Sequence, residues 1–243
     1  MKGQKMKRIG VLTSGGDTPG MNAAIRAVFK TGVDIDLQVM GIYHGYKGLI
    51  EGRVGYLAHA DVESKMHKGG TILRTARSEE FKTEGGIEKA ISVLRAYEIE
   101  GLIVIGGDGS FKGADALSKR GIPVIGIPGT IDNDMGYTDF TIGFDTAVNN
   151  VMNEIYKIRD TMRAHDRVGV IEVMGRRCGD IALETGIAVG ATCILVPEIA
   201  YDFERDILNR MEFTSKTGKH HFIVVVAEGV GHVSDIAKQI EAH

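Results

Sequence analysis

Two glycine-rich segments each carry an aspartate, and each directly follows a run of apolar residues. Gly15-Gly16-Asp17 follows residues 9–13, and Gly106-Gly107-Asp108-Gly109-Ser110 follows residues 102–105. Glycines let a backbone approach a ligand closely, and the start of the next helix presents unpaired N–H groups to an anion. A carboxylate beside such a turn can hold Mg²⁺ together with substrate phosphates. The pattern favours a phosphate site, although ordinary strand-to-helix turns use the same residues.

A pair of carboxylates follows the next apolar run, residues 123–127. Asp132 and Asp134 stand two positions apart in the polar segment that begins at Pro128. One of them could accept a proton while the other works near a metal. A solvated acidic loop would have the same sequence, so this segment alone leaves both interpretations open.

Arginines are grouped in two further segments. Residues 173–179 (Val-Met-Gly-Arg-Arg-Cys-Gly) follow an apolar run, and residues 69–77 contain Arg74 and Arg77. Guanidinium groups on loops suit bidentate binding of phosphate. Each arginine could equally form a weak surface salt bridge, which is the commoner case.

Short apolar runs alternate with segments of helical periodicity, and these elements must position the motifs. Continuously apolar strands between helices indicate a mostly parallel sheet covered on both faces, with ligands at the carboxyl ends of the strands. We predict one domain over residues 1–138 and a second α/β unit over residues 139–243. The predicted strands are 9–13, 39–43, 102–105, 123–127, 168–173, 193–196 and 222–227, and the predicted helices are 21–29, 87–97, 114–119, 144–165, 180–189, 203–211 and 234–240.

Composition excludes several classes of protein. The chain has 29 basic and 32 acidic residues, a net charge of -3, so a nucleic-acid backbone is not the expected partner. No apolar run approaches the ~18 residues of a membrane span, and the start of the chain does not have the pattern of a signal peptide. Two cysteines, Cys178 and Cys193, cannot form a disulfide framework, which predicts a cytoplasmic location.

Known motifs are excluded as well. The sequence contains no G-x-x-x-x-G-K-[ST] phosphate loop, and no G-x-G-x-x-G follows the first strand. No Cys or His spacing suits zinc, and a cysteine nucleophile is not suggested by any motif. These absences exclude a P-loop NTPase and weigh against a standard dinucleotide-binding Rossmann site.

Six segments in their order along the chain resemble the bacterial ATP-dependent 6-phosphofructokinases of the phosphofructokinase A family. The resemblance implies two Rossmann-like three-layer α/β/α units with mostly parallel sheets. It also implies transfer of the γ-phosphoryl group of ATP, with Mg²⁺, to the 1-hydroxyl of fructose 6-phosphate. The segments are residues 13–23 (Thr-Ser-Gly-Gly-Asp-Thr-Pro-Gly-Met-Asn-Ala), 69–77, 105–110, 128–134, 141–147 (Thr-Ile-Gly-Phe-Asp-Thr-Ala) and 172–176 (Glu-Val-Met-Gly-Arg).

The same resemblance implies roles for individual residues. Asp132 would be the general base and Asp108 would carry Mg²⁺, while Gly16, Arg77 and Thr130 would stabilise and position the transferred group. The ATP side would further include Tyr46, Ser78, Gly107, Gly109 and Ser110. The sugar side would include Ile131, Met174, Gly175, Arg176 and Glu228. Arg167 would reach the sugar phosphate of a neighbouring subunit in a homotetramer.

Two glycines favour ATP as the donor. Pyrophosphate-dependent relatives resemble this pattern with an aspartate in place of Gly109 and a lysine in place of Gly129. Three alternatives stay open: a pyrophosphate-dependent phosphofructokinase, another kinase with a Gly-Gly-Asp-Gly turn, such as an NAD or lipid kinase, and a catalytically incompetent nucleotide-binding fragment.

Regulation and length depart from the family pattern. Arg26 and Arg159 correspond to effector-site residues, but Lys30, His59 and Thr192 replace two arginines and a metal-binding glutamate of many members. Weakened allostery is the expectation. The resemblance also predicts further sugar-binding residues after His243, so the sugar-phosphate domain is expected to be incomplete.

Overall fold

The apolar segments of the first part of the chain pair in one sheet in the computed structural model, which describes residues 7–243. The strands are β1 (Arg8–Thr13), β2 (Gln38–Ile42), β3 (Val54–Tyr56), β4 (Gly101–Gly106), β5 (Val124–Thr130) and β6 (Ile142–Gly143). Their order is β3-β2-β1-β4-β5-β6, and each neighbouring pair is parallel except β2 with β3.

Helices pack on both faces of this sheet because successive residues of β1 point to opposite sides. Ile9 and Val11 meet the apolar side of the first helix, whereas Leu12 joins the core under the later helices. These helices are α1 (Met21–Asp34), α2 (Gly45–Ile50), α3 (His59–Val62), α4 (Glu84–Ala96) and α5 (Asp108–Ser118), with a 3-10 turn at Glu80–Lys82.

The second unit is built around a smaller parallel sheet in the order β7-β9-β8. Two helices cover one face of it, and the later helices cover the other face, where Ile207 and Ile236 are buried. The elements are α6 (Phe144–Ala164), β7 (Val168–Val173), α7 (Asp180–Ala188), β8 (Cys193–Leu195), a π-helical turn (Glu204–Leu208), α8 (Asn209–Ser215), β9 (Phe222–Ala227), a 3-10 turn (Glu228–Val230) and α9 (Val233–Glu241).

The boundary between the units differs from the predicted one after residue 138. The described residues up to Thr130 form the first unit together with Met135–Gly143, whereas Ile131–Asp134 and Phe144–His243 form the second. Pairing of β6 with β5 keeps the segment before residue 144 in the first unit. Ile131 is partly buried and packs against the core of the second unit, so Ile131–Asp134 belongs to that unit.

The fold predicted from the sequence is confirmed, with three local differences. Residues 107–110 were expected to form a turn, but α5 already begins at Asp108. The prediction did not include α2, α3, β3 or β6. Helices do not cover both faces of the sheet completely at β5, where Ile125 is 65% exposed. Within residues 7–243, no helix combines the length and apolarity that crossing a bilayer requires.

Candidate functional site

Two of the predicted motifs, and the third as far as Thr130, lie side by side in the first unit, at the carboxyl ends of β1, β4 and β5. The Ser14 N–H donates to the Ile105 carbonyl over 3.0 Å, which ties the turn after β1 to the end of β4. A Cβ atom on Gly107 would lie 3.5 Å from the Thr130 Cβ, so the turn after β4 also adjoins the end of β5. The chain leaves β1 toward β2, on the side of the sheet opposite β4. This is the switch point at which open parallel sheets bind ligands.

The start of α5 lies at that switch point and is open to a ligand. Gly107 is the N-cap residue, and its carbonyl accepts the N–H groups of Ser110 and Phe111. The preceding N–H groups have no earlier carbonyl in the helix to bond, which makes this end attractive to anions. An added Cβ on Gly109 would meet no atom within 4 Å.

The donor set at this position suits Mg²⁺. The Asp108 side chain is 55% exposed in the first turn of α5, where its carboxylate lies 2.7 Å from Lys112 Nζ. No group of three or more His, Cys, Asp or Glu side chains converges as a metal cage among residues 7–243. Mg²⁺ commonly uses one or two carboxylates plus phosphate oxygens and water, and Asp108 fits that mode of binding.

Residues that the sequence analysis missed hold the loop that carries Arg77. The Thr75 hydroxyl donates to the Gly15 carbonyl over 2.6 Å, and the Thr13 hydroxyl donates to the Arg74 carbonyl over 3.0 Å. Buried Asn22 accepts the N–H of Ile72 and donates to the carbonyl of Lys68. A buried polar residue on the apolar side of α1 was the available signal, since such groups need partners.

Tyr46 packs on the core side of the first turn of α5, the proposed nucleotide turn. It is 6% exposed and stacks on Phe81 with 4.0 Å between the ring centroids. Its hydroxyl donates to the Ser110 carbonyl over 2.6 Å, and burial raises the pKa of Tyr46 well above its usual value. The ring therefore supports α5 from within the core, and the contact of Tyr46 with ATP stays a prediction. The Ser78 hydroxyl accepts the N–H of Phe81 over 3.1 Å, next to the 3-10 turn.

The predicted sugar-side residues of the second unit form a connected group. Asp132 is nearly buried, and its Oδ2 lies 3.1 Å from Nε of the mostly exposed Arg176. Glu228, directly after β9, accepts the N–H groups of Gly175 at 3.0 Å and Arg176 at 2.5 Å through Oε1. Glu228 therefore shapes the backbone of the arginine loop, residues 174–179 between β7 and α7, in addition to any contact with a ligand. Met174 is 60% exposed on the same loop.

Arg167 is separated from that group by the length of a strand. It directly precedes β7, whereas Met174 directly follows β7. Seven residues at about 3.3 Å each put the two backbone positions roughly 23 Å apart. Arg167 and Met174 therefore lie at opposite ends of β7.

Two of the predicted effector residues, Lys30 and Arg159, have partners inside their own units. Lys30 Nζ lies 3.2 Å from Nδ1 of His59, and Arg26 stands one turn before Lys30 on α1. Arg159 donates to the carbonyl of Val189 and lies over the ring of Tyr156. The Thr192 hydroxyl is a buried oxygen with no hydrogen-bond partner among the described residues. These partners leave fewer groups ready to bind a phosphate.

Neither cysteine is poised to act as a nucleophile. Cys178 and Cys193 are both free thiols. Burial raises the pKa of the Cys178 thiol, and it raises that of Cys193 to about 11. The thiolate is the reactive form, so a cysteine mechanism at neutral pH is disfavoured.

Comparison with known proteins shows the family to which this chain belongs. A family profile described as phosphofructokinase matches residues 8–243. This chain belongs to the phosphofructokinase family. It is 57% identical over 236 residues to the ATP-dependent 6-phosphofructokinase of Clostridium tetani and 55% identical to that of Alkaliphilus metalliredigens. Each alignment covers 97% of this chain and 74% of the relative.

Solved phosphofructokinase structures have the same architecture. The phosphofructokinase of Saccharomyces cerevisiae superposes with a TM-score of 0.91 at 35% identity, covering 97% of this chain and 36% of that one. A pyrophosphate-dependent phosphofructokinase from Marinobacter aquaeolei gives a TM-score of 0.84 at 24% identity, over 98% of this chain and 66% of that one. The predicted family, fold and enzyme class are thereby confirmed.

Proposed function

We propose that this chain transfers the γ-phosphoryl group of ATP to the 1-hydroxyl of fructose 6-phosphate, which gives fructose 1,6-bisphosphate and ADP. The observation that carries the proposal is the meeting of the Gly15-Gly16 turn, the open start of α5 and Thr130 at one switch point. Relatives at 55–57% identity named as ATP-dependent 6-phosphofructokinases support it.

ATP is the donor that the open start of α5 favours. Gly109 leaves space beside the first turn of the helix, and it adds no charge there. An aspartate at that position would repel the α-phosphate of ATP. Gly129 likewise supplies no lysine beside the transferred group. The pyrophosphate-dependent proteins with the same fold are more distant, at 22–24% identity.

Asp132 acts as the general base. Its carboxylate takes the proton of the 1-hydroxyl as that oxygen bonds to the γ-phosphorus, and the bond from the γ-phosphorus to the bridging oxygen breaks to release ADP. Arg176 holds the carboxylate from the side. Only Ile131 separates Asp132 from Thr130 in the chain, so their Cα atoms stay within about 7 Å of each other.

Charge on the transferred group is balanced by residues of the first unit. The Gly16 N–H and the Arg77 guanidinium bind its oxygens, and Thr130 positions it. Asp108 would hold Mg²⁺, which supplies positive charge to the phosphate chain when bound. Thr75 keeps the Arg77 loop next to Gly15 by its hydrogen bond to the Gly15 carbonyl.

Sugar binding uses the loops after β7 and β9 and a second subunit. Ile131, Met174, Gly175, Arg176 and Glu228 form the acceptor side in one chain. Arg167 acts on the sugar phosphate of a neighbour in a homotetramer, and its position before β7 supports this assignment. The cytoplasm is the proposed compartment, in keeping with two free cysteines.

A donor assay tests the proposal. The purified protein is incubated with Mg²⁺ and fructose 6-phosphate plus either ATP or pyrophosphate, and products are followed by phosphorus NMR. We expect fructose 1,6-bisphosphate with ATP alone. Bisphosphate formed from pyrophosphate but not from ATP would contradict the donor assignment. ATP bound without any product would favour a nucleotide-binding fragment instead.

A further inference from the structure

Asn133, the neighbour of Asp132, is held by a carboxylate that no proposed role above includes. The Asn133 side-chain amide donates to Oδ2 of Asp180 over 2.8 Å. The backbone of Asn133 is left-handed, with φ of 52°, a conformation that Asn adopts more readily than most residues. The amide therefore anchors a sharp bend directly beside the proposed base.

Asp180 stands where the arginine loop ends. It is the first residue of α7, and Gly179 before it donates its N–H to Glu198 Oε1 over 2.8 Å. The other end of the loop is held by Glu228, which accepts the N–H groups of Gly175 and Arg176. Asp180 thus links a loop fixed at both ends to the segment that carries Asp132.

We propose that Asp180 is a positioning residue for Asp132. Its hydrogen bond to Asn133 fixes the bend of Ile131–Asp134, so that the Asp132 carboxylate keeps its place against Arg176. The inference rests on the proposed role of Asp132 as general base. A hydrogen bond to an ionised carboxylate is stronger than a neutral one, and it suits an anchor that must be rigid.

The expected consequence concerns the chemical step and not ATP binding. Loss of the anchor lets Asp132 move away from its working position, and a misplacement near 1 Å can lower turnover by about 100-fold. Asp180 belongs to the second unit, whereas the proposed ATP ligands belong to the first. We therefore expect kcat to fall by roughly 10- to 100-fold while the KM for ATP stays within about twofold.

Three variants separate positioning from folding. Asp180→Ala removes the acceptor, and Asp180→Asn keeps a neutral acceptor of the same size, so it should recover much of the lost kcat. Asn133→Gly removes the amide but allows the left-handed backbone, and it serves if Asp180→Ala does not fold. The control is Asp235→Asn, which removes another first-turn carboxylate from a helix of the same unit, near Lys238.

Steady-state kinetics and melting temperatures decide the outcome. Reduced kcat in Asp180→Ala and Asn133→Gly, partial recovery in Asp180→Asn and normal turnover in Asp235→Asn would support the proposal. In an Asp132→Asn background, Asp180→Ala should lower the residual rate little, because both changes act on one group. Folded Asp180→Ala and Asn133→Gly variants with kcat within twofold of the parent would overturn it. Normal turnover of Asp132→Asn would instead overturn the proposed base, and this inference with it.

Discussion

Arg176 Nε lies 3.1 Å from Asp132 Oδ2, so the proposed base and a proposed sugar ligand are already in contact within the second unit. The Asp132 side chain is 7% exposed, whereas that of Arg176 is 64% exposed. A nearly buried carboxylate needs a charged partner and hydrogen bonds, because its transfer from water is costly. The arginine loop therefore holds the proposed base in place through Arg176.

Gly109→Asp should impair ATP use without damaging the fold. A Cβ at this position meets no atom within 4 Å, and an acidic residue in the first turn of a helix is favourable. The carboxylate would oppose the phosphates of ATP, and like charges in contact cost several kcal/mol. We expect the KM for ATP to rise at least ~10-fold, with the melting temperature unchanged or higher.

The matched control for that change is Gly109→Asn. Asparagine has the size of aspartate without its charge, so it separates repulsion from crowding. A KM for ATP that rises equally in both variants would show that space, not charge, limits the site. A KM for ATP that stays at the parent value in Gly109→Asp would contradict the argument that a glycine at position 109 selects ATP as the donor.

Tyr46→Phe should weaken the support under α5. The variant loses the buried hydrogen bond to the Ser110 carbonyl, which is worth about 1 kcal/mol. For a protein of this size that corresponds to a fall of roughly 2–4 °C in melting temperature. The KM for ATP should rise a few-fold, because the first turn of α5 becomes less rigid.

Tyr97→Phe provides the comparison. The Tyr97 hydroxyl donates to the Gly52 carbonyl over 3.2 Å in the same unit, and this hydrogen bond does not involve α5. It should lower the melting temperature by a similar or smaller amount and leave the KM for ATP unchanged. If the two variants raise the KM for ATP equally, the hydrogen bond of Tyr46 does not specifically support the first turn of α5.

Much of the fold could be predicted because its signals are local. Continuous apolar runs predict β1, β4 and β9 directly. The spacing of Val148 and Ile155 in the same way predicts the helix α6. The strand β3 and the helix α2 were missed because both are short, and α2 begins at Gly45 after a left-handed His44. Such elements depend on pairing and packing that one window of sequence does not contain.

The motifs of the candidate site were visible, but the residues that support them were not. Resemblance pointed to Gly16, Asp108 and Asp132, which lie in sequence segments of distinctive composition. Thr75 and the proposed positioning residue Asp180 form hydrogen bonds with partners 60 and 47 positions away. Pairings across such distances arise from the folded chain, so neither residue type nor spacing predicts them.

Activation by ADP should be weak. Lys30 is engaged with His59, Arg159 with Val189, and Thr192 provides no carboxylate for a metal. At limiting fructose 6-phosphate, we expect added ADP to raise the rate by less than the ~5-fold at the low end of allosteric coupling. Activation well above that level, measured with ATP held constant, would contradict the expectation.

Comparing the parent protein with Asp132→Asn tests the proposed mechanism most directly. Turnover is measured with Mg²⁺, ATP and fructose 6-phosphate, and ATP binding is measured separately by calorimetry. The account predicts that kcat falls at least ~100-fold, since general-base catalysis contributes 10²–10⁴, while the Kd for ATP stays within about twofold. A variant that keeps the parent kcat would contradict the assignment of Asp132 as the base that accepts the sugar proton.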